Sequence, residues 1–219
     1  INKQVIRGVK WTTIGALAIT FSNVLKISIL ARFLSKDDFG VFAILTFFLG
    51  FFNLFSDMGI TTAILHKQNV NKNEYSSLYW FNIIFCIFLY FLLYVFTPFI
   101  ADFYNDNRLD YLIKILGLSI IINSFGLQFR TIETKLLSFK YISIVDIVAS
   151  FISLMVAVYL AVEGYGVLSL VYSVIFQYTI SAILLLILGL KRYRVRLHFR
   201  FKDLKPFLSI GLFQVGGQS

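Results

Sequence analysis

The segment from Trp11 to Leu34 constrains the fold more than any other, because it is an almost unbroken apolar run, WTTIGALAITFSNVLKISILARFL. About 20 apolar residues in a helix, each rising about 1.5 Å, cross the ~30 Å hydrocarbon core of a membrane. Asn23 and Lys26 are polar residues within this run. A lysine inside a membrane span is costly, so Lys26 is a candidate functional residue.

The composition of the whole chain indicates a membrane protein. Of its 219 residues 58% are hydrophobic and 14% are charged, whereas soluble domains are roughly 45–50% apolar and about 25% charged. A protein interior cannot hide that much apolar surface, so lipid is the expected solvent. The first run is also too long for a cleavable signal peptide, and it ends near Arg32 instead of a small-residue cleavage site.

Hydropathy predicts six complete membrane spans and an all-α polytopic protein. The spans are 11–31, 40–64, 79–101, 111–129, 143–163 and 166–190. They are long and lack the two-residue alternation of barrel strands, so helices are expected. We expect a six-helix lobe at 1–190, a basic cytoplasmic linker at 191–205 and the start of a seventh helix at 206–219. Because that last run is cut off at Ser219, the chain is expected to be part of a longer protein.

Basic residues predict the orientation of the spans. Fifteen Lys and Arg lie on one side of the predicted spans, namely before span one, between spans two and three, between spans four and five, and after span six. Only four lie on the other side. This bias places the N-terminus in the cytoplasm. Nucleic-acid binding is not expected, although the net charge is +9, because no reading module accompanies the basic residues.

The linker alternates basic and apolar residues in RYRVRLHFRFK, from Arg192 to Lys202. In extended form this pattern predicts an amphipathic ribbon, with the apolar side chains from Tyr193 to Phe201 on one side. Its cations would bind anionic lipid headgroups. The alternative is a simple basic anchor that fixes topology.

Polar and small residues form one stripe on each predicted helix. In the first helix the stripe contains Thr12, Ala16, Thr20, Asn23 and Lys26. Such stripes are typical of helix–helix packing, but ionisable and amide residues at membrane depth also indicate a hydrated cavity. The candidates for substrate binding in such a cavity are Asn23, Lys26, Arg32, Asn53, Arg130 and Gln177.

Asp57 is the candidate for coupling to an ion, H⁺ or Na⁺. Helix lengths place Lys26 near the outer face and Asp57 near the inner face, so the two are not expected to pair. The structural alternative for Asp57 is that it caps the end of its helix. The structural alternative for Lys26 is that its long side chain extends to the outer surface.

Catalytic and metal-binding patterns are not evident in the sequence. We find no paired carboxylates on one helix, no Ser/His/Asp set and no phosphate-binding glycine loop, and no cofactor is expected. Asp102, Asp106 and Asp110 cluster in one outer loop, where a solvated acidic loop is preferred over a divalent-cation site. The single Cys86 lies in an apolar run and is expected to be buried.

Four motifs resemble bacterial polysaccharide exporters. These are ARFLSKDDFGVFA from Ala31, SDMGITTAIL from Ser56, FKYISIVDIVAS from Phe139 and EGYGVLSLVY from Glu163. They resemble the O-antigen, capsule and exopolysaccharide flippases of the multidrug/oligosaccharidyl-lipid/polysaccharide exporter superfamily. The resemblance implies the N-terminal lobe of a V-shaped bundle of about 12 to 14 helices, built from two halves.

The resemblance also implies a function. Such proteins move an undecaprenyl-diphosphate-linked oligosaccharide from the inner to the outer leaflet by alternating access, alongside glycosyltransferases and a polysaccharide polymerase. Lys26, Arg130 and Arg32 would then meet the diphosphate. The alternatives are a cation-coupled multidrug antiporter of the same fold, a membrane glycan polymerase or ligase, and a non-transporting scaffold.

Overall fold

The protein is a bundle of six long helices in the computed structural model, which describes residues 3–56, 61, 64, 71–193, 195–201 and 204. Each helix is long and apolar enough to cross a membrane, and the described residues contain no strand, so the all-α prediction is confirmed. The helices are α1 (Lys3–Leu30), α2 (Lys36–Ser56), α3 (Lys72–Tyr104), α4 (Arg108–Lys135), α5 (Phe139–Val162) and α6 (Val167–Arg192).

The helices extend past the predicted spans mainly at their polar ends. α3 begins seven residues before the predicted 79, where a capping box between Asn71 and Glu74 satisfies its first backbone N–H groups. α4 continues six residues beyond 129, where Glu133 is buried by tertiary packing. Hydropathy detects only the apolar part of such helices. The predicted extension of span two through Asp57 and the predicted seventh helix lie outside the described residues, apart from isolated positions.

α1 and α5 pack in parallel along a seam of small residues. Gly8, Gly15 and Ser22 recur every seven residues on α1 and approach Phe139, Ser143 and Ser150 of α5. The Ser143 hydroxyl donates to the Trp11 carbonyl (2.9 Å), and the Ser22 hydroxyl donates to the Ser150 carbonyl (3.2 Å). Small residues allow close backbone approach, which drives helix association in lipid.

The first three positions of the predicted α1 stripe do not make the contact with α5. Thr12, Ala16 and Thr20 are exposed, and the neighbouring glycine–serine face makes the contact with α5. A hydroxyl can satisfy itself within its own helix, as the Thr12 hydroxyl does by donating to the Gly8 carbonyl at 3.0 Å. Polarity alone thus does not identify the contact face.

α4 is the central helix, packed against α2, α3, α5 and α6. Its apolar residues Leu109, Leu112, Leu116 and Ile120 are fully buried in the main core cluster. Near its end, the Phe129 ring lies directly against Gly189 of α6. Because α4 touches four neighbours, its side chains can face the space that those neighbours surround.

The linker after α6 is held against α3. The Arg196 N–H donates to the Ser76 hydroxyl (3.0 Å), and the Trp80 indole N–H donates to the Arg196 carbonyl (3.1 Å). Further along, the Arg200 N–H donates to the Ser77 hydroxyl (3.1 Å). The segment is thus a docked strap across the start of α3.

The predicted single-faced ribbon is wrong beyond Val195. Tyr193 and Val195 pack against a buried cluster, as the alternation predicts, but Leu197 is 93% exposed. The His198 N–H donates to the Arg196 carbonyl (2.8 Å), which makes a three-residue turn centred on Leu197. This turn breaks the two-residue period, because the tertiary bond from Trp80 fixes the Arg196 carbonyl.

Two of the acids around the α3–α4 connection are paired with nearby cations. The Arg108 guanidinium donates to both oxygens of Asp106, and this bond holds the pKa of the Asp106 carboxyl below its usual value. The Lys114 ammonium lies 2.8 Å from the Asp110 carboxylate. Asp102, the third acid, is exposed.

Candidate functional site

A cavity of about 440 Å³ opens between α2, α4, α5 and α6. Each of these four helices contributes at least one polar side chain to its wall, and apolar residues such as Leu49 and Val174 complete it. The polar lining residues are Thr46, Asn123, Arg130, Asp146, Gln177, Tyr178 and Ser181. Four spanning helices therefore surround one polar space.

Arg130 and Asp146 form an ion pair in this wall. The Arg130 Nη1 donates to Asp146 Oδ2 at 2.8 Å, its Nη2 donates to Asp146 Oδ1, and the same Nη2 donates to the Ser181 hydroxyl at 3.0 Å. The fork geometry of guanidinium matches both carboxylate oxygens. Arg130 is five residues from the end of α4 and Asp146 is seven residues into α5, so the short α4–α5 connection brings them together.

This pair changes the role expected for Arg130. The sequence predicts a cation free to meet an anionic ligand, and the structure places a carboxylate on two of its nitrogens. The side chains are 32% and 23% exposed, so the pair is accessible from the cavity. The cavity consequently has one fixed positive and one fixed negative charge, which cancel.

Two side-chain amides face the same cavity. Asn123, Leu127 and Arg130 share one face of α4, and Gln177 and Ser181 share one face of α6, because residues three or four apart align on a helix. Among the described residues, the Asn123 and Gln177 amides have no hydrogen-bond partner. These donors and acceptors are free for water or a ligand.

Asn53 lies behind the wall. Its side chain lies close to that of Tyr178, which lines the cavity. The Asn53 Oδ1 atom is fully buried and has no partner among the described residues. Asn53 thus lies beside Tyr178 and does not line the cavity directly.

Lys26 lies apart from the cavity, at the interface of α1 and α5. Its ammonium donates to the Ser153 hydroxyl at 3.3 Å and the residue is partly buried. A helical side chain leans back toward the helix N-terminus, which agrees with the bond from Lys26 to Ser153 within the bundle. Asn23, one turn earlier, is also partly buried on α1, which contributes nothing to the cavity wall.

The remaining candidates are not part of this site in the described residues. Arg32 is exposed on the turn after α1, outside the cavity, and Asp57 lies outside the part of the chain that the structure describes. Conversely, Asp146 and Tyr178 belong to the wall and are absent from the predicted site. Asp146 could have been found, because it and Arg130 are opposite charges at similar depth on consecutive helices.

Comparison with known proteins identifies relatives along the whole chain. Residues 29–218 match the model of a family described as "Polysaccharide biosynthesis protein". The teichuronic acid biosynthesis protein TuaB of Bacillus subtilis is 30% identical over 221 aligned residues, covering 100% of this chain and 45% of TuaB. The lipopolysaccharide biosynthesis protein WzxC of Escherichia coli is 27% identical, covering 96% of this chain and 43% of WzxC.

A third relative is named as a transporter. The succinoglycan biosynthesis transport protein ExoT of Rhizobium meliloti is 24% identical, covering 98% of this chain and 42% of ExoT. The chain therefore spans somewhat less than half the length of these relatives. No solved structure matches the chain significantly. The family match over residues 29–218, together with six membrane-spanning helices, shows that this multi-pass membrane chain belongs to the polysaccharide biosynthesis protein family.

Proposed function

We propose that the full-length protein moves an undecaprenyl-diphosphate-linked oligosaccharide from the inner to the outer leaflet of the bacterial cytoplasmic membrane, by alternating access. The polar cavity among membrane-spanning helices is the observation that carries this proposal. A glycan headgroup cannot cross hydrocarbon unaided, whereas a polar cavity replaces its water shell and leaves the lipid tail in the bilayer. In this proposal the N-terminus is cytoplasmic and an H⁺ or Na⁺ gradient supplies the driving force.

The relatives support the class of substrate. Their names refer to teichuronic acid biosynthesis, lipopolysaccharide biosynthesis and succinoglycan transport, which are three surface polysaccharides. The partners that this function requires are glycosyltransferases, which build the lipid-linked oligosaccharide, and a polymerase, which consumes it. Anionic lipids would meet the basic linker at the inner surface.

Lys26 is the best candidate in the described residues for contact with the diphosphate. It lies at membrane depth and its only hydrogen bond among those residues is to the neutral Ser153 hydroxyl. Its charge is therefore not compensated by a carboxylate, in contrast to that of Arg130. An ammonium group binds phosphate oxygens as a point charge.

The alternatives receive less support. A cation-coupled multidrug antiporter needs a cavity with free negative charge, but the Asp146 carboxylate is paired with Arg130. A glycan polymerase or ligase needs catalytic side chains that bind the reacting atoms, and no feature of the described cavity favours one.

Replacement of Lys26 by alanine tests the proposal in a strain that lacks the chromosomal gene. We expect the K26A full-length protein to restore little surface polysaccharide, while lipid-linked oligosaccharide accumulates and protein abundance stays normal. K26R should restore export substantially, and K140A should restore it fully, because Lys140 lies over the Trp11 ring near the end of the bundle, away from the interface with Ser153.

Different results would refute the substrate role of Lys26 and the transport function. Normal export by K26A would refute the substrate role of Lys26. Normal surface polysaccharide in the deletion strain, without accumulation of lipid-linked oligosaccharide, would refute the transport function itself.

A further inference from the structure

We propose that the cavity beside the Arg130–Asp146 pair binds an uncharged sugar residue of the transported glycan, and not its diphosphate. This inference rests on the proposed function and assigns one part of the substrate to one part of the lobe. It differs from the simple expectation that an arginine in a transport cavity binds phosphate.

The charge of the cavity is the first reason. Arg130 donates to both oxygens of Asp146 and to the Ser181 hydroxyl, so most of its donor capacity is already used. A diphosphate at Arg130 would lie beside the Asp146 carboxylate, which would repel it in a poorly screened site. A neutral ligand carries no such penalty.

The chemistry of the wall is the second reason. The free amides of Asn123 and Gln177 each offer two N–H donors and one carbonyl acceptor, and Thr46 and Tyr178 add hydroxyl groups. A sugar hydroxyl both donates and accepts, so it matches this mixture better than a phosphate, which at neutral pH mainly accepts. Free amides inside a membrane are costly unless water or a ligand satisfies them.

Shape and position agree with a sugar. The cavity volume of about 440 Å³ falls within the roughly 300–1,000 Å³ of ligand pockets. The apolar residues Leu49 and Val174 and the ring of Tyr178 offer surfaces for the C–H faces of a pyranose. Ser153, which holds Lys26, is seven residues beyond Asp146 on α5. This spacing corresponds to ~10 Å along the helix, so one glycan diphosphate could reach both places.

Binding to the full-length protein in lipid nanodiscs tests the inference with two soluble probes. One is inorganic pyrophosphate. The other is an oligosaccharide released by acid hydrolysis from the cell's own surface polysaccharide, with any uronic acids reduced to alcohols. Saturation-transfer NMR detects each probe, and titration gives its affinity.

Three variants separate the two ligands. Q177L removes an amide and keeps side-chain size, so we expect at least tenfold weaker oligosaccharide binding with unchanged pyrophosphate binding. K26A should show the reverse pattern. D146N removes the charge that compensates Arg130, so we expect it to increase pyrophosphate affinity at least tenfold.

N123L provides an independent amide variant if Q177L fails to fold, and thermal unfolding in nanodiscs checks each protein. The inference is overturned if the wild-type protein binds no oligosaccharide, or if Q177L or N123L weakens pyrophosphate and spares the oligosaccharide. If the protein binds the oligosaccharide but the deletion strain exports polysaccharide normally, the transport function is refuted and the sugar site is retained.

Discussion

Replacement of Gly189 by alanine should destabilise the bundle, although alanine is the better helix former. A Cβ atom at Gly189 would lie 2.1 Å from Phe129 Cδ1 and 2.3 Å from Cγ. Optimal carbon–carbon contacts are about 3.5–4.0 Å, so the two side chains would overlap by at least ~1.4 Å. Phe129 is 2% exposed and packs against Tyr79 with ring centroids 5.7 Å apart, so its ring has little room to move.

The expected loss in the free energy of unfolding follows from two opposing effects. Alanine in a helix interior is favoured over glycine by about 0.5–1 kcal/mol. Overpacking of a filled core costs typically ~1–3 kcal/mol and at times more, and an overlap of this size belongs at the upper end. We therefore expect G189A to lower the free energy of unfolding by ~2 kcal/mol.

Gly50 on α2 supplies the matched control, because nothing lies within 4 Å of a Cβ added there. G50A should be neutral or more stable by up to about 1 kcal/mol. Equilibrium unfolding of the full-length protein in mild detergent measures both variants. F129L should partly rescue G189A, giving a loss smaller than the sum of the two single losses. Equal stability of G189A and G50A would refute the close contact between α4 and α6.

Two further predictions concern the ends of the bundle. W80F keeps an aromatic ring but removes the indole donor to the Arg196 carbonyl. Docking of the strap on α3 should weaken by ~0.5–1.5 kcal/mol, so trypsin should cut the linker faster. An unchanged cleavage rate would show that this bond does not hold the strap. The Asp106 pKa is lowered by the hydrogen bond from Arg108, so this contact stabilises the fold above the usual carboxyl pKa and is lost as pH falls through the lower folded value. The melting-temperature difference between wild type and D106N should thus be constant from pH 7 to pH 5 and shrink below pH ~4, and a difference that persists at pH 2 would contradict this assignment.

The sequence by itself determined that lipid surrounds the chain, that its described part forms six long helices, and that it resembles one family. Long apolar runs leave only helices as spanning elements, because backbone groups in lipid must be satisfied within the segment. Membrane insertion is thus a local property that hydropathy captures over each span. Two ion pairs near the α3–α4 connection could also be predicted, since Arg108 lies two residues from Asp106 and Lys114 lies four residues from Asp110.

Only the tertiary structure decided which polar residues meet. Arg130 looks like a free cation until α5 places Asp146 on it, and Lys26 turns toward Ser153, which is 127 residues away in the chain. The linker's alternation predicts a ribbon, but Trp80 and Ser76 from a distant helix impose a turn at Leu197. The physical reason is that side-chain pairing depends on which helices pack together and on how each helix is rotated about its axis. Those are set by close contacts such as Gly189 against Phe129, which no local pattern of polarity encodes.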